Sequence, residues 1–386
     1  MSFRMEDIPI SPVSSIDEVR LVEKRDKLRV VRFDVAEPYF DPPEMALEST
    51  CTAVREGYRG YSPTKGIYEL RGELSKFFKK TRGADYGAEE IIVTPGSKFA
   101  SYLVFSSLVK TSDEVILLTP FWSSFKAIPL ILGIRKIKES LTNPLYKIDQ
   151  EAFQQQLNDK TKIVVINTPN NPTGGVLDKS DIKFLVDLAQ DKGFYILSDE
   201  VDWAYTYDGH RHVSPASIGD GIERTIVVDS FSKVFCMAGW RVGFAAAPKE
   251  IIDKMNLVQQ HSVTSPVTFA QKACLDVLKE YKPYIKRIVN LALNKRNFLL
   301  DALKCIKQLK YTTPPGAFYL FPEVERNGVN ADNLASELLN KAHVAVTPGS
   351  LFGKGSEFNF RICYAVPDED LREGLTRLAD YFEAST

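Results

Sequence analysis

The chain has 386 residues, 44% of them hydrophobic, enough to bury a large core and more readily read as two packed domains than one. Its 49 basic and 50 acidic residues leave a formal net charge of -1, so no global field is available to hold nucleic acid or an anionic membrane, and neither is expected as a partner. The stretch 1–12 mixes charges and prolines without an apolar segment, which predicts neither a signal peptide nor a transmembrane helix and points to the cytoplasm.

Proline and glycine punctuate the whole chain without a repeat or a low-complexity tract, so the domains are expected to be compact and closely joined. From about residue 90 strand-like runs alternate with amphipathic stretches: 91–94 then 97–109, 114–118 then 125–132, 163–167 then 179–192, and 194–198. Apolar runs at 225–228 and 241–247 predict two more strands. Such alternation predicts an α/β fold, a mostly parallel wound sheet flanked by helices, in a large domain spanning 42–282. A helical stretch around 270–310, strand signals at 317–321, 343–347 and 358–363, and a helix from Asp368 suit a smaller α+β domain built from 1–41 and 283–386. The N-terminal arm is expected to pack with it.

Cys51, Cys236, Cys274, Cys305 and Cys363 are scattered without a close pair, and their odd number argues against a disulfide framework. The histidines show no metal-ligand spacing, His210 and His212 lying either side of Arg211 in a polar loop, so no metal is expected.

Chemistry-bearing residues gather around Lys233, which the strand run 225–228 places in a loop at a strand's carboxyl end, where open α/β sheets hold their ligands. A lysine desolvated there beside other cations can lose its proton near neutral pH and attack a carbonyl. Ser230 and Ser232 offer hydroxyls at short range, and Arg241 offers a planar fork of donors suited to phosphate. Ser230-x-x-Lys233 also spells the nucleophile motif of β-lactamases and penicillin-binding proteins, but those need Ser-Asp-Asn and Lys-Thr-Gly; this chain has Ser198-Asp199-Glu200 and no Lys-Thr-Gly.

Ser230-Phe231-Ser232-Lys233 followed by Gly239-Trp240-Arg241-Val242-Gly243 resembles the Schiff-base segment of class I and II aminotransferases, the fold-type-I family of pyridoxal phosphate enzymes. Asn167-Thr168-Pro169-Asn170-Asn171-Pro172-Thr173-Gly174 resembles the family's Asn-Pro-Thr-Gly turn, which implies that Asn171 donates to the cofactor's phenolic oxygen. Asp199, at the end of a buried strand-like run, needs a cationic partner, and the resemblance assigns it the pyridinium nitrogen. Thr94-Pro95-Gly96-Ser97-Lys98 joins a strand to a helix, so the amides of Gly96, Ser97 and Lys98 are expected to face the phosphate. Trp122 matches the aromatic residue against the pyridine face, and Tyr61 matches the tyrosine lent to the neighbouring subunit's phosphate. Arg361, alternating with apolar residues in 358–362, matches the arginine that clamps the substrate α-carboxylate. The segment 349–355 looks superficially like a nucleotide P-loop but lacks one spacer residue and a following Ser or Thr.

Two positions depart from the family pattern. Ala36, in Ala36-Glu37-Pro38-Tyr39, stands where many relatives have glycine beside the substrate. Asp202 stands where relatives have a tyrosine that donates to the phenolic oxygen. An ionised carboxylate only accepts hydrogen bonds, so a donor is expected to be lost unless another group, such as Tyr205, fills the role.

The resemblance, from about Val35 to the C-terminus, implies a homodimeric cytoplasmic aminotransferase using pyridoxal 5'-phosphate. It would pass an amino group from an L-amino acid to a 2-oxo acid, as aspartate aminotransferases do, with Lys233 holding the cofactor and moving the α-proton. Alternatives are a C–S β-lyase using the same cofactor and a non-catalytic cofactor-binding regulator, the latter disfavoured because the arm before Val35 is too short for a helix-turn-helix. No arginine lies in 260–265, a stretch that in relatives lines the distal end of the substrate pocket, so acceptance of a neutral donor, even an aromatic one, is expected.

Overall fold

The computed structural model describes residues 8, 9, 11, 15–143, 146–325 and 330–384. A central sheet is built from β1 (Ile91–Thr94), β2 (Glu114–Thr119), β3 (Lys136–Leu141), β4 (Thr161–Asn167), β5 (Tyr195–Asp199), β6 (Thr225–Ser230) and β7 (Gly243–Ala246). Their spatial order is β1-β7-β6-β5-β4-β2-β3. Neighbours run parallel except around β7, which is antiparallel to both β1 and β6.

The near-continuous apolar runs of β2, β4 and β5 follow from burial on both faces. Val115, Leu117, Ile163 and Val165 pack one face with Leu103 and Val104 of α1 (Ser97–Leu108). Ile116, Leu118, Val164 and Ile166 pack the other with Ile182 and Leu185 of α2 (Lys179–Lys192). Asp178 starts α2 by accepting from the amides of Ser180 and Asp181, and Gly193, at φ 77°, ends it.

Three sequence expectations shift. The helical stretch expected over 270–310 is two helices, α3 (Thr268–Val277) and α4 (Tyr281–Leu303), separated by residues 278–280. The strand expected from Arg241 begins at Gly243, because Arg241 adopts a left-handed φ of 55° that a strand does not admit. The edge strand β3 was not anticipated; its Lys-Ile-Lys-Glu-Ser-Leu sequence carries charge on an edge, where apolar density is low.

In the remaining region, β8 (Tyr319–Leu320) and β9 (Thr347–Pro348) flank β10 (Phe360–Cys363), both antiparallel to it. Val31–Arg32 pairs parallel with Val344–Ala345, and α5 (Asp368–Ala384) packs on this pair and on α4. The part of the N-terminal arm that is described thus joins the C-terminal region; the expectation for 1–7, 10 and 12–14 lies outside the described residues. No helix among the described residues is long and apolar enough to cross a membrane.

Candidate active site

Strands β4 and β5 end in register, Asn167 beside Asp199, and the parallel β6 ends next to them at Ser230. Their carboxyl ends therefore release three loops on the same side of the sheet, and β10 approaches these loops from the other region. A cavity of ≈ 310 Å³ opens between them. It is lined by Ala36, Ser97, Lys98, Trp122, Asn171, Asp199, Ser232, Lys233, Arg241 and Arg361, all expected from the sequence. Gly96, Ser230 and Tyr61 are not among its lining residues. Ser230 is buried at the strand end, where its Oγ accepts from the Ser232 amide. Tyr61 is 90% exposed and borders a separate surface groove with Pro266 and Thr268.

Lys233 donates from Nζ to the carbonyl of Ala36. Desolvation holds its ammonium below the usual lysine range, opposed by the Asp202 carboxyl. At the floor, Gly96 precedes α1 with φ 86°, and the Arg241 guanidinium lies so close that a Cβ on Gly96 would meet Nη2 at 2.6 Å. A Cβ on Gly243 would meet Ser97 N at 2.4 Å, so β7 can reach the first turn of α1 only with glycine there. Arg241 Nη1 is anchored by the Ala238 carbonyl at 2.9 Å. Lys98 Nζ sits 4.9 Å from the Trp122 ring centroid, and burial, Arg241 and Lys233 together lower its pKa. Cations and the α1 amide end thus crowd one wall, the chemistry of an anion site.

The opposite side is acidic and apolar. Asp199 is 5% exposed; its Oδ1 accepts from the Val201 amide at 3.2 Å, and burial pushes its carboxyl well above the usual range. Asn167, a lining residue that sequence reading passed over, fixes this corner: its Nδ2 donates to the Asp199 carbonyl at 3.1 Å and its Oδ1 accepts from the Asn171 amide at 2.7 Å. Its place as the last residue of a strand was the available signal. Tyr319 and Asp34 also line the cavity without having been singled out.

Arg361 is 1% exposed, donating from Nη1 to Asn171 Oδ1 at 2.8 Å and from Nη2 to Thr347 Oγ1 at 3.2 Å, while its Nε has no partner. Rings of Tyr319 and Phe352 lie 5.1 and 5.3 Å from it. A buried guanidinium with an orphaned donor is suited to receiving a carboxylate.

Two expectations about neighbouring residues change. Tyr205 donates to the backbone carbonyl of Lys233 at 3.1 Å, so its hydroxyl is spent and does not replace a missing donor. Asp202 was read as ionised; it is buried, and burial raises its carboxyl to about 7 against the pull of Lys233 and Arg361. His212 lies in the loop expected for it, with its ring turned inward: Nε2 lies 3.0 Å from Glu200 Oε2 in a buried cluster with Arg82 and Asp229.

Comparison with known proteins agrees with this geometry. Residues 29–378 match the family described as aminotransferase class I and II. The chain is 33% identical to an aspartate aminotransferase of Pyrococcus horikoshii over 94% of its own length and 93% of that protein's. It is also 33% identical to aromatic-amino-acid aminotransferase 2 of Thermococcus litoralis, over 90% of each. A solved aspartate aminotransferase structure from Thermotoga maritima superposes with a TM-score of 0.91 at 31% identity, covering 99% of this chain and 100% of that one.

Proposed function

The chain belongs to the class I and II aminotransferases, enzymes that transfer nitrogenous groups, and from that premise we propose that pyridoxal 5'-phosphate occupies the Lys233 cavity and that an L-amino acid and a 2-oxo acid react there in alternation. The observation that carries the assignment is the convergence of Lys233, Asp199 and Arg361, from three separate chain segments, on one ≈ 310 Å³ cavity. The donor set fits the cofactor. The one cavity is lined by Ser97, Lys98 and Arg241, by the buried Asp199 carboxyl and by the Lys233 amine.

Bound there, the cofactor supplies an electron sink for the carbanion formed when the α-proton leaves. Lys233 would hold the cofactor and carry the α-proton, a task suited to an amine whose pKa burial lowers. Asp199 would ionise against the ring nitrogen and keep it protonated. The amides of Gly96, Ser97 and Lys98, the Ser232 hydroxyl and Arg241 hold the phosphate, with Ser230 bracing the Ser232 amide. Asn171 turns its Oδ1 to Arg361, which leaves Nδ2 as the end that would donate to the phenolic oxygen. Trp122 covers the ring face. Arg361 would bind the substrate α-carboxylate, with Ala36, Asn171 and Trp122 lining the same cavity around the substrate.

We assign 42–282 to the large cofactor-binding domain and 1–41 with 283–386 to the small one, which puts Arg361 and Lys233 on different domains. Tyr61, exposed beside its groove, suits a homodimer in which it reaches the neighbouring subunit's phosphate. Five free cysteines suit a reducing cytoplasm. A screen of amino donors against 2-oxo acids with the purified, cofactor-loaded protein tests the reaction. Turnover that requires an oxo-acid acceptor supports transamination; pyruvate and ammonia released without one would identify a β-lyase instead.

A further inference from the structure

Asp202 is 1% exposed and lines the Lys233 cavity, yet neither carboxyl oxygen has a hydrogen-bond partner. Leaving an ionised carboxylate in that condition is costly, and the inexpensive remedies are a proton or a partner inside the cavity. We propose that Asp202 works as a neutral carboxylic acid, a hydrogen-bond donor aimed into the cavity at an oxygen of the bound group, and that it is a positioning residue of this enzyme. The inference rests on the functional reading above and deepens it.

The surroundings favour the acid form over the ion. Facing Asp202 are Lys233 from the loop after β6, Arg361 and Cys363 from β10, Tyr319 from β8, Asp199 at the end of β5, and Tyr205 and Tyr207 just beyond. Tyr205 donates to the Lys233 carbonyl and Tyr207 to the Ala317 carbonyl, so neither hydroxyl reaches Asp202. The cations Lys233 and Arg361 pull toward ionisation, but burial outweighs them and brings the group to about 7. A donor that vanishes when it ionises gives the site an alkaline limit: above neutrality the acid becomes an acceptor, and its charge strengthens the hold of Lys233 on its proton.

Asp202→Asn keeps an amide donor but cannot ionise, and Asp202→Tyr supplies a hydroxyl that ionises only near pH ~10 in water. The test compares these with the wild type in two forms. In the cofactor-free protein, infrared difference spectra between acid and alkaline pH should contain a carboxylic-acid band, titrating near neutrality, that is lost in both variants. In the loaded protein, the change in visible absorbance that reports loss of the proton on the Lys233 nitrogen should move to lower pH in both variants, which keep a donor but lack the charge that holds that proton. The inference is overturned if the band is missing or titrates in the ordinary carboxylate range, or if the absorbance titration is the same in all three proteins. Should no donor and acceptor pair turn over, the reaction assignment fails, while the infrared band still decides the state of Asp202.

Discussion

Arg361 Nη1 lies 2.8 Å from Asn171 Oδ1, joining the middle strand of the C-terminal sheet to the turn after β4 across 190 residues of chain. One contact thereby sets both the arginine proposed to receive a carboxylate and the amide proposed to face the cofactor. Arg361→Lys keeps the charge but loses the fork. The KM for the amino donor should rise on the order of tenfold to a hundredfold, as expected for losing a hydrogen bond to a charged group. Unchanged KM values for donor and acceptor would remove Arg361 from the carboxylate site.

Gly243→Ala tests the anion wall without touching a polar group. Its Cβ would meet Ser97 N and Gly96 C at 2.4 Å, both backbone atoms that cannot swing away, so the first turn of α1 must move. Overpacking of this kind costs about 1–3 kcal/mol, and cofactor affinity should weaken at least about tenfold. Gly239→Ala, with nothing within 4 Å of its Cβ, should bind as the wild type does. Equal affinities for the two variants, measured by equilibrium dialysis, would contradict the cradle.

Asp202 also gives the cofactor-free protein a defined pH dependence. An aspartate ionises near pH ~3.9 in the unfolded chain, whereas in the fold this one is raised to about 7. Between those values the folded state binds more protons, so the raised group makes stability fall as pH rises from ~4, levelling off above ~7. Asp202→Asn removes that slope. Its urea midpoint relative to wild type should therefore improve between pH ~5 and ~7 and level off above that; a relative loss over that interval would mean that Asp202 is held as an ion.

Much of this was readable in the sequence because it depends on local chain. Asp199 ends an apolar run, Lys233 follows another, and Asp178 marks the start of α2 by its capping chemistry. Direction is not local: the apolar run at β7 gave no sign that it runs against both neighbours, a matter of how the chain returns to β1. Nor could spacing reveal that Asn167 supports both Asp199 and Asn171, since those bonds come from strand register. The raised carboxyl of Asp202 was out of reach for the same reason, because it comes from burial that residues distant in sequence create.

The segment 260–265 is largely exposed and does not line the cavity of its own chain, whereas Trp122 and Tyr319 do. Without an arginine in that segment, a second carboxylate lacks the clamp sought there. At least one neutral donor, aromatic donors included, should therefore turn over with kcat/KM within about tenfold of any acidic one, a difference of ~1.4 kcal/mol. Strict restriction to aspartate and glutamate in the donor screen would refute this.

The account stands on Lys233 as the point of covalent attachment. Borohydride reduction of the loaded protein, followed by proteolysis and mass analysis, reads that directly. The cofactor-modified residue should be Lys233; Lys233→Ala should yield no modified peptide and no turnover while still binding cofactor weakly through the phosphate wall. A modified peptide containing Lys98 in place of Lys233, or full transamination by Lys233→Ala, would contradict the account.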